Sequence, residues 1–250
     1  MNIIVNADDL GMSPSVNDAI FEAMAAGSIT SATILANGPA VSQVAERCGK
    51  FPHRSFGVHL NLTQYEPVCP GSVVDLAPVL NDRGCFNGNS IREVRIDVRL
   101  LRAIYREWCA QIDRVLALGI EPSHLDAHHH VHTIPQMLPV LAALRRRYKI
   151  RRVRISRNMY EDFERPSGTL LTKKRLYNHA LRGLGFRTTQ MFTDFLTFIH
   201  LCAQNRPRCR SVELMTHPGS SPGGEEANLL KNGWTHQLSY RFSLISYHSV

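Results

Sequence analysis

The chain has 250 residues, of which 44% are hydrophobic and 20% charged, a composition typical of a globular protein and not of a disordered one. The 29 basic and 21 acidic residues give a net charge of +8, with much of the excess between residues 145 and 157. No nucleic-acid motif accompanies this run, and basic residues are favoured at helix C-termini. We therefore interpret it as a solvated helix end and expect no nucleic-acid partner.

The start of the chain, "MNIIVNADD", lacks the basic segment and long apolar stretch of a signal peptide. No uninterrupted apolar run reaches the roughly 18 residues of a membrane-spanning helix. The six cysteines include no CxxC pair, so they are interpreted as free thiols of a cytoplasmic protein.

The first third of the chain predicts alternating strands and helices. "NIIVNA" is a short apolar run ended by two aspartates, as in a buried strand. Ser13 and Pro14 are suited to the start of the helix "SPSVNDAIFEAMAAG". The strand "TSATILAN", the helix "AVSQVAERCGK" and the strand "SFGVHLNLT" follow. This order predicts a parallel α/β sheet.

Residues 64–90 are rich in Pro, Gly, Asn and Asp and predict a long loop, typical of a lid or binding loop. Helices and strands then alternate again, although less regularly. The later predicted elements are a helix at 91–119, a strand at 123–128, a helix at 135–148, a strand at 150–156, a helix at 172–185, a strand at 211–216 and a closing strand at 242–249. We predict a single domain over residues 1–250.

Conspicuous ionisable residues fall at the predicted strand ends. Asp8 and Asp9 end the first strand, His59 lies in the third, and His217 follows the strand "SVELMT". In parallel α/β folds ligands bind at the carboxyl ends of strands. The sequence therefore predicts an active site at this edge.

The segment "HLDAHHHVH", residues 124–132, contains five of the 12 histidines. In an extended conformation Asp126, His128 and His130 would share one face. If a helix starts there, His128 and His132 become neighbours. Imidazole suits zinc, iron, nickel and cobalt, and two histidines with one carboxylate form a common catalytic metal set. A surface tract or pH-sensitive patch is the alternative, but the apolar flanks favour a metal site.

The other candidates are individually less specific. Adjacent carboxylates such as Asp8 and Asp9 point in different directions, so one can bind a metal while the other takes a proton, although aspartates are also common in turns. A lone histidine such as His59 is more often a core residue. His217, before Pro218, is either a general acid or a turn residue. Arg154, at the end of the predicted fifth strand, would hold Asp8 ionised if it lay beside it.

Four segments together resemble the YdjC-like carbohydrate deacetylases: "NADDLG", "GVHLNLT", "HLDAHHHVHTIPQ" and "ELMTHPG". They occur in the family's order and span residues 6–219. The resemblance implies a distorted TIM-barrel-like (β/α) barrel. It also implies a metal-dependent hydrolase that removes the acetyl group from N-acetylglucosamine units of chitooligosaccharides, usually with magnesium.

Transferred to this chain, the resemblance makes Asp9, His59 and His128 the metal ligands, Asp8 the base and His217 the acid. We assign Asp126, His132 and Arg154 to substrate binding or to support of the ligands. Ligand chemistry alone would favour zinc or cobalt, because magnesium prefers oxygen ligands.

The match weakens after "THPG", and the barrel is therefore expected to be incompletely closed or closed by a partner chain, such as in a homodimer. The loop at 64–90 should shape substrate choice, so an N-acetylglucosaminyl glycolipid, including a hopanoid-linked one, stays an alternative substrate. A metal-dependent phosphoesterase and a non-enzymatic metal- or nucleic-acid-binding protein are the other readings.

Overall fold

The computed structural model describes residues 1–88, 90–204, 207–220, 223–238 and 241–250. The predicted loop at 64–90 and the C-terminal segment 220–250 each include positions outside the described residues.

A parallel sheet forms the centre of the described structure. Its strands are β1 (Asn2–Leu10), β2 (Ser31–Ile34), β3 (Ser55–Leu60), β4 (Leu125–Ala127), β5 (Met191–Asp194), β6 (Ser211–Thr216) and β7 (Ser243–Leu244). Six of them lie in the order β4-β3-β2-β1-β6-β5, and β7 pairs with the start of β1. With helices packed around it, this curled sheet confirms the predicted distorted α/β barrel.

The predicted strand at 150–156 is an irregular segment that bridges the two edges of the sheet. The Arg154 amide donates to the Leu125 carbonyl on one side (3.0 Å), and the Asn158 amide donates to the Phe192 carbonyl on the other (3.2 Å). β4 has only three residues, so this segment forms isolated β-bridges and not a continuous strand pairing. The segment lies between β4 and β5 without a continuous ladder to either, so the described sheet is a curled half-barrel whose strands do not close. This agrees with the expected incomplete closure, and the alternative of closure by a partner chain stays a prediction.

Helices cover the outside of the sheet. They are α1 (Pro14–Ala25), α2 (Val44–Cys48), α3 (Val73–Leu76), α4 (Ser90–Glu93), α5 (Val98–Ala117), α6 (Leu138–Tyr148), α7 (Gly168–Gly183), α8 (Phe195–Ala203) and α9 (Glu225–Asn232). The Ser13 side chain accepts a hydrogen bond from the Val16 amide and caps α1, as the sequence predicts. The basic residues Arg145, Arg146 and Arg147 lie in the last turn of α6.

The prediction of one helix over 91–119 is wrong. The chain breaks between α4 and α5, where Asp97 accepts a hydrogen bond from the Leu100 amide (2.8 Å) and starts a new helix. Sequence analysis also missed β5 and α8. Asp194 ends the strand and caps the helix within one apolar run, "MFTDFLTFI", so no separating turn marks the boundary.

The C-terminal tail is mostly irregular, because only Ser243 and Leu244 of the predicted closing strand pair with β1. A short 3-10 turn at Tyr247–Ser249 follows, and the Tyr247 amide donates to Ser55 Oγ at the start of β3 (3.0 Å). The tail therefore lies at the opposite end of the strands from the predicted site. All six cysteines are free. Among the described helices, none combines the length and apolar character that crossing a membrane requires.

Candidate active site

A bulge at the end of β1 separates the directions of Asp8 and Asp9. The pairing with β2 shifts between Ala7 and Leu10, and Asp9 has a left-handed backbone with φ of 68°. Both carboxylates are nevertheless buried. The irregularity explains how two consecutive residues supply different parts of one site.

Asp9, His59 and His128 come together from three separate elements. Asp9 Oδ1 lies 3.3 Å from His59 Nε2 and 2.8 Å from His128 Nδ1, and one ligand atom from each residue falls within 4.8 Å of the others. Burial alone would raise the pKa of Asp9, but the two histidines hold it below its usual value. No described residue donates a well-aligned hydrogen bond to Asp9 Oδ1, despite these short contacts. Converging, unsatisfied donor atoms of this kind fit a divalent metal ion.

Asp126 orients His59 within this cluster. Asp126 Oδ1 lies 2.7 Å from His59 Nδ1, and its other oxygen accepts a hydrogen bond from Thr33 Oγ1 at 3.0 Å. Burial would lower the pKa of His59, but the charges of Asp126 and Asp8 raise it to about 10. A carboxylate on one ring nitrogen fixes the imidazole and directs the other nitrogen toward Asp9, as in many metal sites.

Arg154 is fully buried and lies beside Asp8, where the sequence hypothesis placed it. Its Nη1 and Nη2 donate to the two oxygens of Asp8, each at 2.6 Å. Its Nε donates to Glu213 Oε1 at 2.7 Å, and Nη1 also lies 3.0 Å from Asp126 Oδ2. Burial opposes the charge on Arg154, but the carboxylates of Asp126, Asp8 and Glu213 raise its pKa well above the usual value.

A second possible ligand group combines Asp8, His59 and Asp126. Arg154 Nη1 already lies between the two carboxylates, at 2.6 Å from Asp8 Oδ2 and 3.0 Å from Asp126 Oδ2. The guanidinium of Arg154 therefore occupies the position between the two carboxylates that a second metal ion would need. The arrangement favours one metal ion, not two.

The histidine tract does not alternate between two faces as an extended strand would. His129 and His130 adopt left-handed backbones, with φ of 50° and 56°, and interrupt a 3-10 turn. His130 is thereby directed against the ring of Phe192, so the predicted shared face with His128 is wrong. His129 Nδ1 lies 3.0 Å from Thr63 Oγ1.

His132 and His124 lie behind the cluster of Asp9, His59 and His128. His132 Nε2 donates to the carbonyl of Arg154 (3.1 Å), and burial lowers the pKa of its ring to about 4. His132 thus supports the irregular segment that carries Arg154. His124 is fully buried beneath the site, next to Asn6.

His217 follows β6, whose last residue Thr216 pairs with Ala7, next to Asp8. The His217 amide donates to Glu226 Oε1 (2.7 Å), and both residues line a cavity of about 310 Å³. Burial raises the pKa of Glu226, a residue that sequence analysis missed. Glu226 belongs to no recognisable motif, because α9 comes to lie beside His217 through tertiary packing.

The predicted loop at 64–90 is tied to the barrel. The amides of Val68 and Cys69 donate to the carboxylate of Glu107 on α5 at 2.9 and 2.8 Å. Tyr65, in a left-handed conformation, is half-buried, and burial together with the charge of Asp9 raises its pKa. The loop therefore presents an aromatic side chain near Asp9.

Comparison with known proteins agrees with this architecture. The model of the family described as YdjC-like protein matches residues 2–241. The chain belongs to this family. A carbohydrate deacetylase of Halalkalibacterium halodurans is 36% identical over 87% of this chain and 85% of its own length.

Two further similarities support the assignment. A carbohydrate deacetylase of Geobacillus stearothermophilus is 40% identical over 62% of this chain, and the match covers 60% of that protein. A crystal structure from Enterococcus faecalis V583, of a protein named for cellobiose-phosphate cleavage, superposes with a TM-score of 0.76 at 25% identity. It covers 99% of this chain and 98% of that one. The YdjC-like fold thus extends over the whole barrel.

Proposed function

We propose that this chain is a metal-dependent carbohydrate N-deacetylase that releases acetate from an N-acetylglucosamine unit of a chitooligosaccharide or a related sugar. The family membership and the names of its relatives support the reaction class. The observation that carries the proposal is the convergence of Asp9, His59 and His128 next to Asp8.

The metal would be held by Asp9, His59 and His128. Two imidazoles and one carboxylate are typical of a catalytic zinc or cobalt site, whereas magnesium prefers oxygen ligands. The magnesium implied by the family resemblance is therefore the less favoured ion for this donor set. When bound, a divalent cation supplies Lewis-acid stabilisation for negative charge on the acetamide oxygen.

Asp8 and His217 would move the protons of the reaction. Asp8 takes a proton from the attacking water, whose oxygen forms the new bond to the acetyl carbon. Arg154 fixes the orientation of Asp8 through the paired contacts at 2.6 Å. His217 gives a proton to the sugar nitrogen as the carbon–nitrogen bond breaks, which yields acetate and a free amine.

The phosphoesterase alternative is less well supported. A two-metal phosphoesterase needs two cations a few ångströms apart, but Arg154 occupies the second candidate position between Asp8 and Asp126.

The deciding experiment measures acetate released from diacetylchitobiose by the purified protein. The protein is first stripped with a chelator and then reloaded with zinc, cobalt or magnesium. We expect activity with zinc or cobalt, and loss of activity in His128→Ala but not in His179→Ala, a control histidine on the exposed face of α7. An N-acetylglucosaminyl glycolipid and a phosphate monoester complete the substrate panel. Phosphate release without acetate from any N-acetyl sugar would overturn the proposal.

A further inference from the structure

The C-terminal tail reaches the charged network of the site through Tyr247. This side chain is fully buried, and its hydroxyl donates a hydrogen bond to Glu213 Oε2. The other oxygen of Glu213 accepts from Arg154 Nε at 2.7 Å, and the two remaining nitrogens of Arg154 contact Asp8. A continuous chain of hydrogen bonds therefore runs from the tail to Asp8.

Several contacts fix the position of the Tyr247 ring. Its backbone amide donates to Ser55 Oγ at 3.0 Å, and its ring stacks on His124 with centroids 3.6 Å apart and planes at 12°. His124 in turn packs onto Gly57, where an added Cβ would lie 2.6 Å from its ring. Burial lowers the pKa of His124 to about 3, so this ring is neutral. The hydroxyl of Tyr247 thus has a defined place under the site.

The ionised form of Glu213 depends on the Tyr247 hydroxyl, because Arg154 alone compensates the negative charge of Glu213 poorly. The buried guanidinium of Arg154 is shared among the carboxylates of Asp8, Asp126 and Glu213. Burial raises the pKa of Glu213 to about 7, while Arg154 and the hydroxyl of Tyr247 oppose this rise. Loss of the hydroxyl would favour the neutral carboxyl at neutral pH. A neutral acceptor holds a guanidinium less strongly than an ionised one.

We infer that Tyr247 and Glu213 are positioning residues for catalysis, because they fix Arg154 so that its Nη1–Nη2 edge faces Asp8. The inference rests on the proposed function, in which Asp8 is the base. Neither residue touches the substrate, and their effect on the rate is exerted through Arg154. Misplacement of a catalytic group by about 1 Å can cost up to about 100-fold in rate.

The kinetic test uses Tyr247→Phe, which keeps the ring and removes only the hydroxyl. We expect kcat for acetate release to fall about tenfold, with KM and metal affinity within about twofold of wild type. Glu213→Gln should lower kcat similarly, and the double variant should be no slower than Glu213→Gln alone, because both act through one contact chain. Tyr148→Phe is the matched control, since it removes a hydroxyl bonded to the carboxylate of Asp113 at 2.7 Å, away from the network.

An unchanged kcat in Tyr247→Phe, or additive losses in the double variant, would overturn the inference. The crystal structure of Tyr247→Phe provides a readout that needs no substrate. We expect the guanidinium of Arg154 to leave its paired contact with Asp8, and an unmoved guanidinium would also overturn the inference. If the wild-type protein releases no acetate, the proposed function fails, while the position of Arg154 still decides whether Tyr247 holds it.

Discussion

Substitution of Asp126 by asparagine tests most directly how this residue supports the proposed metal ligands. Asp126 is fully buried. Its Oδ1 faces His59 Nδ1 at 2.7 Å, and its Oδ2 receives Thr33 Oγ1 and Arg154 Nη1, each at 3.0 Å. Asparagine has nearly the same shape but only one acceptor oxygen. Because two donors converge on the Oδ2 position, the amide oxygen should remain there and the amide nitrogen should face His59.

This arrangement opposes metal binding by His59. The asparagine nitrogen can only donate to His59 Nδ1, so the proton of the neutral ring must lie on Nε2, the nitrogen that lies 3.3 Å from Asp9 Oδ1. A protonated nitrogen cannot bind a metal ion. Loss of such a supporting residue typically weakens metal affinity by about 10- to 100-fold, or about 1.4 to 2.8 kcal/mol.

Isothermal titration of the chelator-stripped protein with zinc measures the effect. Asp113→Asn is the control, because this half-exposed aspartate also loses a charge and a hydrogen bond, to Tyr148, but lies outside the site. Zinc affinity of a folded Asp126→Asn protein within about twofold of wild type would refute the assigned role of Asp126.

Three other predictions address metal binding, pH and the loop. Zinc at about 100 times its Kd should raise the free energy of unfolding of the wild-type protein by about 2.7 kcal/mol, measured by denaturant unfolding. Zinc should not stabilise His128→Ala, and equal stabilisation of both proteins would exclude His128 as a ligand. The pKa of Glu213 is raised from 4.5 in the unfolded chain to about 7 in the folded protein, so the folded state keeps this proton to a higher pH. The free energy of unfolding should therefore fall by about 1 to 3 kcal/mol as the pH rises from 4.5 to about 7. Glu213→Gln should flatten this part of the stability profile, and an unchanged slope would contradict the assignment. Tyr65→Ala should raise KM for diacetylchitobiose about fivefold by loss of an aromatic contact worth about 1 kcal/mol, with metal affinity unchanged; an unaltered KM would show that Tyr65 does not contact the sugar.

The sequence predicts the strand ends well, and therefore much of the site. Asp9 and His59 lie near the carboxyl ends of β1 and β3, and His128 directly follows β4. The carboxyl ends of parallel strands meet at one edge of the sheet, and the three side chains converge in the structure. Arg154 could also be anticipated beside Asp8, because two adjacent carboxylates need a nearby cation.

The remaining features depend on long-range packing. Glu213 and Tyr247 lie 34 positions apart in sequence and meet only because the tail folds under the barrel. The turn at His129 and His130 was missed because left-handed backbones are uncommon outside glycine and no glycine marks this turn. The break before α5 was missed because the apolar pattern continues across it, although Asp97 is a capping residue.

The left-handed backbones at the mouth of the barrel have a consequence for engineering. Among the described residues, Asp9, Tyr65, His129 and His130 are four of the five non-glycine residues with positive φ. Each such conformation costs about 1 kcal/mol or more relative to glycine. Glycine at positions 129 and 130 should therefore raise thermal stability through the backbone, but it would remove the contacts that His129 makes with Thr63 and His130 with Phe192. Heat tolerance and the packing of this turn thus depend on the same few backbone torsions.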